Sequence, residues 1–143
     1  QTAISLGGKT IAVLGTPLNK FYPAENRKLQ ETIMKDYLVI SQFPIGSTVQ
    51  RSNFPLRNRM MALLSHASVI MEAGEKSGTQ HQGWEALRLG RALFIHEDLI
   101  KKGLKWPQKM LKYGAEVIKD KDVKVILDYL PSLKGEVSLN ATI

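Results

Sequence analysis

Short β-rich apolar runs that alternate with helically spaced stretches constrain this chain more than any other feature. Residues 10–14 (TIAVL) form a continuous apolar run, the pattern of a strand covered on both faces. Residues 38–41 (LVIS), 67–71 (ASVIM) and 92–95 (ALFI) repeat it, and residues 116–118 (EVI) give a weaker fifth run. Between them, residues 25–35 place Leu29 and Ile33 four apart, residues 56–65 carry Met60, Met61, Leu63 and Leu64, and residues 79–89 end at Gly90. Each of these stretches predicts a helix. Pro107 can open another, over residues 109–113, because its missing N–H costs nothing in a first turn. Residues 123–130 predict a last helix, stopped by Pro131. Strands separated by helices of this length argue for βαβ units and an α/β fold with a mostly parallel sheet. Ligands of such sheets bind beyond the carboxyl ends of the strands. That singles out residues 15–22, 41–54, 72–78 and 96–99.

At 143 residues the chain reads as one domain, over residues 1–131, with residues 132–143 as a C-terminal tail. It holds no cysteine, which excludes disulfides, thiolate chemistry and cysteine metal sites. No apolar run approaches the ~20 residues a bilayer needs, and QTAISLGG is not a signal peptide. The expectation is a cytoplasmic protein without membrane contact. Residues 1–6 read as the last turns of a helix closed by Gly7-Gly8, and the chain does not begin with Met, so further chain upstream is expected.

The net charge of +7 is unevenly placed. Residues 1–65 hold eight Lys/Arg against three Asp/Glu, and residues 66–143 hold twelve against ten. The basic excess therefore lies in the half that contains Arg57-Asn58-Arg59. A positive face attracts polyanions such as nucleic acid or nucleotides. Pro55 biases Phe54 toward an extended conformation, so the helix is expected to start near Leu56, with both arginines in its first turn. Cations are unfavourable there by a few tenths to ~1 kcal/mol each. Two of them argue for a negative partner: a phosphate, or for one arginine an internal carboxylate such as Glu72.

Two more segments suit an anion. Residues 72–79 (EAGEKSGT) join a strand to its helix, with Gly74 and Gly78 allowing close backbone approach and Ser77 or Thr79 able to cap. They match neither a Walker A loop nor GxGxxG, and an ordinary capped helix start explains them equally well. Residues 19–26 (NKFYPAEN) set Lys20 beside Phe21 and Tyr22, with Asn26, Arg27 and Lys28 next. Basic residues interleaved with aromatics suit a single strand whose bases stack, although aromatics at such a junction also serve packing. His66, His81 and His96 lack metal-ligand spacing, and no carboxylate pair is set up for acid–base work. No cofactor, metal or catalytic residue is expected.

The segments GGKTIAVLGTPLNKFYPAENRKLQETI, FPLRNRMMALLSHASVIMEAGEKSG and ALRLGRALFI occur here in the order and spacing of the DNA-processing protein A (DprA/Smf) family, which the chain resembles from about Leu6 to Ile95. The resemblance implies a Rossmann-like three-layer fold, its mostly parallel sheet flanked by helices. It implies binding of single-stranded DNA, protection of incoming DNA in natural transformation, help in loading a RecA-type recombinase, and a homodimer. Phe54, Pro55, Arg57, Asn58, Arg59 and Ser65 match the family's Arg-Asn-Arg motif; Tyr22, Pro23 and Asn26 match the segment after the first strand; Ser77 and Gly78 match its serine-glycine turn. The DNA- or phosphate-binding set is thus Lys20, Asn26, Arg27, Lys28, Phe54, Arg57, Asn58, Arg59, Ser77, Gly78 and Thr79. The family's GSR and GLARGID segments should precede Gln1, so part of the pocket and at least one strand are expected upstream. Gln80-His81-Gln82-Gly83 departs from the family's apolar-Thr-Ala run.

A second reading is a nucleotide-binding sensor, or a nucleoside-monophosphate phosphoribohydrolase of the same superfamily. That branch uses a PGGxGTxxE motif. Setting its Gly-Thr on Gly78-Thr79 puts the required glutamate at Gln82, which cannot act as a carboxylate.

Overall fold

Among the described residues five short, largely apolar parallel strands order the rest. The structure, a computed structural model, describes residues 1–122 and 124–130. A single helical turn, α1 (Thr2–Ser5), ends at Gly7, whose φ of 71° is open to glycine at no steric cost. Strand β1 (Ile11–Leu14) follows, then a 3₁₀ turn (Ala24–Asn26), α2 (Arg27–Asp36) and β2 (Leu38–Ser41). Helix α3 (Asn53–Leu64) leads to β3 (Ala67–Ile70), α4 (Thr79–Arg88) and β4 (Ala92–His96). The chain continues through α5 (Glu97–Lys101), α6 (Lys105–Lys112), β5 (Glu116–Ile118), a 3₁₀ turn (Asp120–Asp122) and α7 (Val125–Asp128).

This is the Rossmann-like α/β arrangement expected, with every strand pairing parallel. It comes in two hydrogen-bonded groups. β1 pairs with β2 in the register Ile11 to Leu38; β4 is central to the other group, pairing with β3 and β5. Among the described residues no strand ladder joins the two groups. The side chains of β4 explain its place: Leu93, Phe94 and Ile95 are at most 1% exposed, as a run apolar on both faces requires.

The main core lies between this second group and its helices. Ile70, Leu93, Ile95, Leu99, Trp106 and Met110 form one buried cluster, with Trp84, Leu87 and Leu104 packed on it. Gly83 lets α4 approach closely: a Cβ there would come within 3.0 Å of Met110 and 3.1 Å of Ile70. Its glycine costs the helix ~1 kcal/mol relative to alanine, which the close approach offsets.

Three expectations are corrected. Helix α3 begins at Asn53 rather than Leu56, because Pro55 occupies its third position, where the intrahelical N–H bond is not needed. Phe54 is accordingly helical, and Arg57 and Arg59 sit in the second turn, past the first turn over which the end charge acts. Helix α6 likewise begins at Lys105, with Trp106 and Pro107 buried inside its first turn. Residues 96–99, expected as a loop, instead open α5, whose N-cap His96 accepts from the Asp98 N–H at 3.4 Å. The last predicted helix is a single described turn; Val123, Pro131 and the tail at 132–143 lie outside the described residues.

Truncating fully buried Leu99 to Ala should cost ~2–5 kcal/mol. The same change at Leu6, which is 81% exposed, should stay within ~0.5 kcal/mol. Equal losses in a denaturant titration of the two variants would contradict this core.

Candidate phosphate site

The loop after β1 is fixed from beneath by buried polar side chains. Thr16, 3% exposed, donates to the Lys20 carbonyl, and Gln30 of α2 donates to the carbonyls of Leu18 and Lys20, each at 3.3 Å. Ser41, at the end of β2, donates to the Thr16 carbonyl at 2.7 Å and accepts from the Phe43 N–H. This network holds the loop against the start of α3. There the Phe54 ring rests on Gly15, where a Cβ would lie 2.9 Å from the ring. Tyr22 packs tilted against Phe54, 5.4 Å between centroids and 47° between planes, and the Arg57 guanidinium sits 5.9 Å from the same ring.

Arg57 is the centre of the site. It is half-buried; its Nε donates to Asn58 Oδ1 at 2.9 Å and its Nη1 to the Val13 carbonyl at 3.4 Å. Burial lowers its pKa from the ordinary arginine value, yet a guanidinium stays charged. Among the described residues it pairs with no carboxylate. Glu72, the alternative partner, lies 3.8 Å from Lys102 instead.

Arg57 opens on a cavity of about 360 Å³ lined also by Phe54, Asn58, Ser77, Gly78, Thr79 and Gln82. Residues 53–59 and 77–79, distant in sequence, thus meet at one place. The turn at residues 77–79 is largely self-satisfied. Ser77 Oγ accepts from the Thr79 N–H at 3.2 Å and donates to Thr79 Oγ1 at 3.0 Å, while the Gln80 and His81 N–H groups bond to the Ser77 and Gly78 carbonyls. The Arg57 guanidinium and the Thr79 hydroxyl proton therefore remain as donors for a ligand, and the backbone offers less than the glycines suggest.

The other expected site residues are placed apart from this cavity. Arg59 lies 3.7 Å from Glu85, which also holds Arg88 at 2.6 Å. Arg27 pairs with Glu31 at 2.8 Å and lies over the Phe21 ring. Lys20 and Lys28 are exposed, and Asn26 edges a smaller hollow of about 170 Å³ with Tyr22, Gln30 and Arg57. Met61 and Gln82, absent from the expected set, line the main cavity; their i and i+4 offset from Arg57 and Gly78 on their own helices was the available signal. A larger groove, about 530 Å³, lies elsewhere between α4 and α6 around Trp84 and Tyr113. No group of three or more His, Asp or Glu poised for a metal occurs among the described residues, and none of their helices is long and apolar enough to cross a membrane.

The family model for DNA recombination-mediator protein A matches residues 1–130. The chain belongs to that family. DNA processing protein DprA of Streptococcus pneumoniae is 40% identical over 119 residues, spanning 82% of this chain and 42% of its own length. Its X-ray structure superposes with a TM-score of 0.75 at 36% identity, covering 86% of this chain and 44% of that one. Protein Smf of Synechocystis is 49% identical over 78 residues, 54% of this chain and 20% of the relative. DNA processing protein A of Helicobacter pylori, described for its single-stranded DNA binding mode, shares the fold, with a TM-score of 0.59 at 23% identity over 72% of this chain and 55% of that one. The chain thus spans less than half the length of the curated recombination-mediator relatives it matches.

The contact of Gly15 with Phe54 makes a sharp stability test. Gly15→Ala should destabilise the protein by ~1–3 kcal/mol through overpacking. Gly74→Ala, where an added Cβ meets nothing within 4 Å, should change it by less than ~0.5 kcal/mol. Thermal melts showing the two variants alike would contradict the packing of Phe54 on Gly15.

Proposed function

We propose that this protein binds single-stranded DNA in DNA processing and recombination, with Arg57 holding a backbone phosphate. The observation that carries the reading is Arg57 itself: a half-buried cation with no carboxylate partner among the described residues, beside an aromatic pair and over a cavity that Ser77 and Thr79 line. A buried charge is costly unless it is paired, so an anion brought by the ligand supplies what the fold lacks. Aromatic faces give a base something to stack on without reading its sequence. Exposed Lys20 on the loop after β1 and Lys28 in the first turn of α2 extend the positive surface. Membership of the recombination-mediator family supports the same role, as does the single-stranded DNA binding of the Helicobacter protein with this fold. Protection of incoming DNA during transformation, loading of a RecA-type recombinase, a homodimeric assembly and a cytoplasmic setting complete the proposal.

The protein acts by binding rather than turnover in this reading. Gln82 lines the cavity where the hydrolase branch needs a glutamate, and an amide neither abstracts nor delivers a proton. Incubation with nucleoside monophosphates should release no free base; release would favour the hydrolase.

Binding of a labelled oligothymidylate to the intact protein tests the site. Arg57→Ala should weaken it about tenfold or more and lower the salt dependence by ~0.7 in the log–log slope, irrespective of sequence. Arg59→Ala should change affinity less than about threefold, because Glu85 already holds that side chain. Unchanged binding by Arg57→Ala would refute the assignment.

A further inference from the structure

Asn58 is buried, at 9% exposure, and both ends of its amide are committed inside the fold. Its Oδ1 accepts from Arg57 Nε at 2.9 Å, and its Nδ2 donates to the Gly78 carbonyl at 3.2 Å. The two partners fix the amide's orientation, since the reverse would set donor against donor and acceptor against acceptor. Asp in its place would lack the donor, and Leu would lack both groups. Each end of the Asn58 amide thus has an internal partner, although one Nδ2 proton remains and the residue stands in the cavity wall. One rigid plane connects the cation on α3 to the turn that opens α4.

A free arginine side chain explores many rotamers, and ordering one on binding costs free energy. Here Asn58 and the Val13 carbonyl hold the guanidinium before any ligand arrives, by Nε and Nη1 respectively, leaving its Nη2 edge uncommitted. Resting on the DNA-binding reading above, we propose that Asn58 is a positioning residue. It sets Arg57 at a fixed spacing from the Ser77-Gly78-Thr79 turn, so that one phosphate meets the guanidinium and the Thr79 hydroxyl together. Affinity then depends on Asn58 only through Arg57.

The test is a double-mutant cycle in the intact protein, with a fluorescent oligothymidylate titrated over a salt series. Asn58→Ala should weaken binding about tenfold in the parent, ~1.4 kcal/mol. In an Arg57→Lys background the same change should weaken it less than about twofold, because an ammonium keeps the charge but not the planar hold. Equal losses in both backgrounds would mark Asn58 as merely structural and overturn the proposal, as would no loss in either. Unaltered binding by Arg57→Ala would instead sink the DNA-binding reading itself, so the two failures are distinguishable. Should Asn58→Ala fail to fold, the parent protein still decides. Its Arg57 Nε–H should exchange with solvent at least about tenfold more slowly than that of exposed Arg51, read by nitrogen-detected NMR at neutral pH. Exchange as fast as that of Arg51 would overturn the proposal.

Discussion

Helix α3 is pinned at adjacent residues to β1 and to the turn that opens α4, and the geometry of the site depends on it. Arg57 donates to Val13 on β1, and Asn58 donates to Gly78 at the start of α4. Farther along, Arg91 just before β4 donates to the Leu63 carbonyl near the end of α3 at 3.1 Å. With no strand ladder between β1 and β3 among the described residues, these side-chain bonds and the packing of α3 on α4 and β1 do the connecting. The cavity lies beside the first two of these bonds, beyond the carboxyl ends of β1 and β3, as parallel sheets place their ligands.

Two consequences follow for the charge of the site. A cation at a helix N-terminus would repel the partial positive charge there, and that repulsion suggested an anionic partner from sequence. The structure removes this particular reason, since the arginines lie in the second turn, and replaces it with a stronger one. Arg57 is partly desolvated and held by neutral oxygens, with no carboxylate against it among the described residues. Arg59, two residues on, lies 3.7 Å from Glu85, a carboxylate it shares with Arg88. The Arg-Asn-Arg cluster thus divides into an available cation, a neutral brace and a cation already paired.

The strands and most helices were legible in the sequence because short β-rich runs and helical spacing are local signals. All five strands fall within a residue of where the apolar runs place them. The start of α3 was not legible: Pro55 reads as a boundary when it follows Phe54, but a first turn tolerates proline, and only the packing of Phe54 on Gly15 shows where the turn lies. The meeting of Arg57 with residues 77–79 was foreseeable from the strand-end rule alone. The diversion of Arg59 to Glu85 and of Arg27 to Glu31 was not, since many carboxylates stood at compatible distances in sequence. Asn58 reads from sequence as a ligand; its two internal bonds, one to a residue twenty positions away, make it a brace.

The most direct test of the account is a crystal structure of the intact protein with a short oligothymidylate. A backbone phosphate oxygen should lie within about 3.2 Å of both the Arg57 guanidinium and the Thr79 hydroxyl, with Asn58 still bridging to Gly78. DNA bound along the groove of Trp84 and Tyr113, with no phosphate at Arg57, would contradict it.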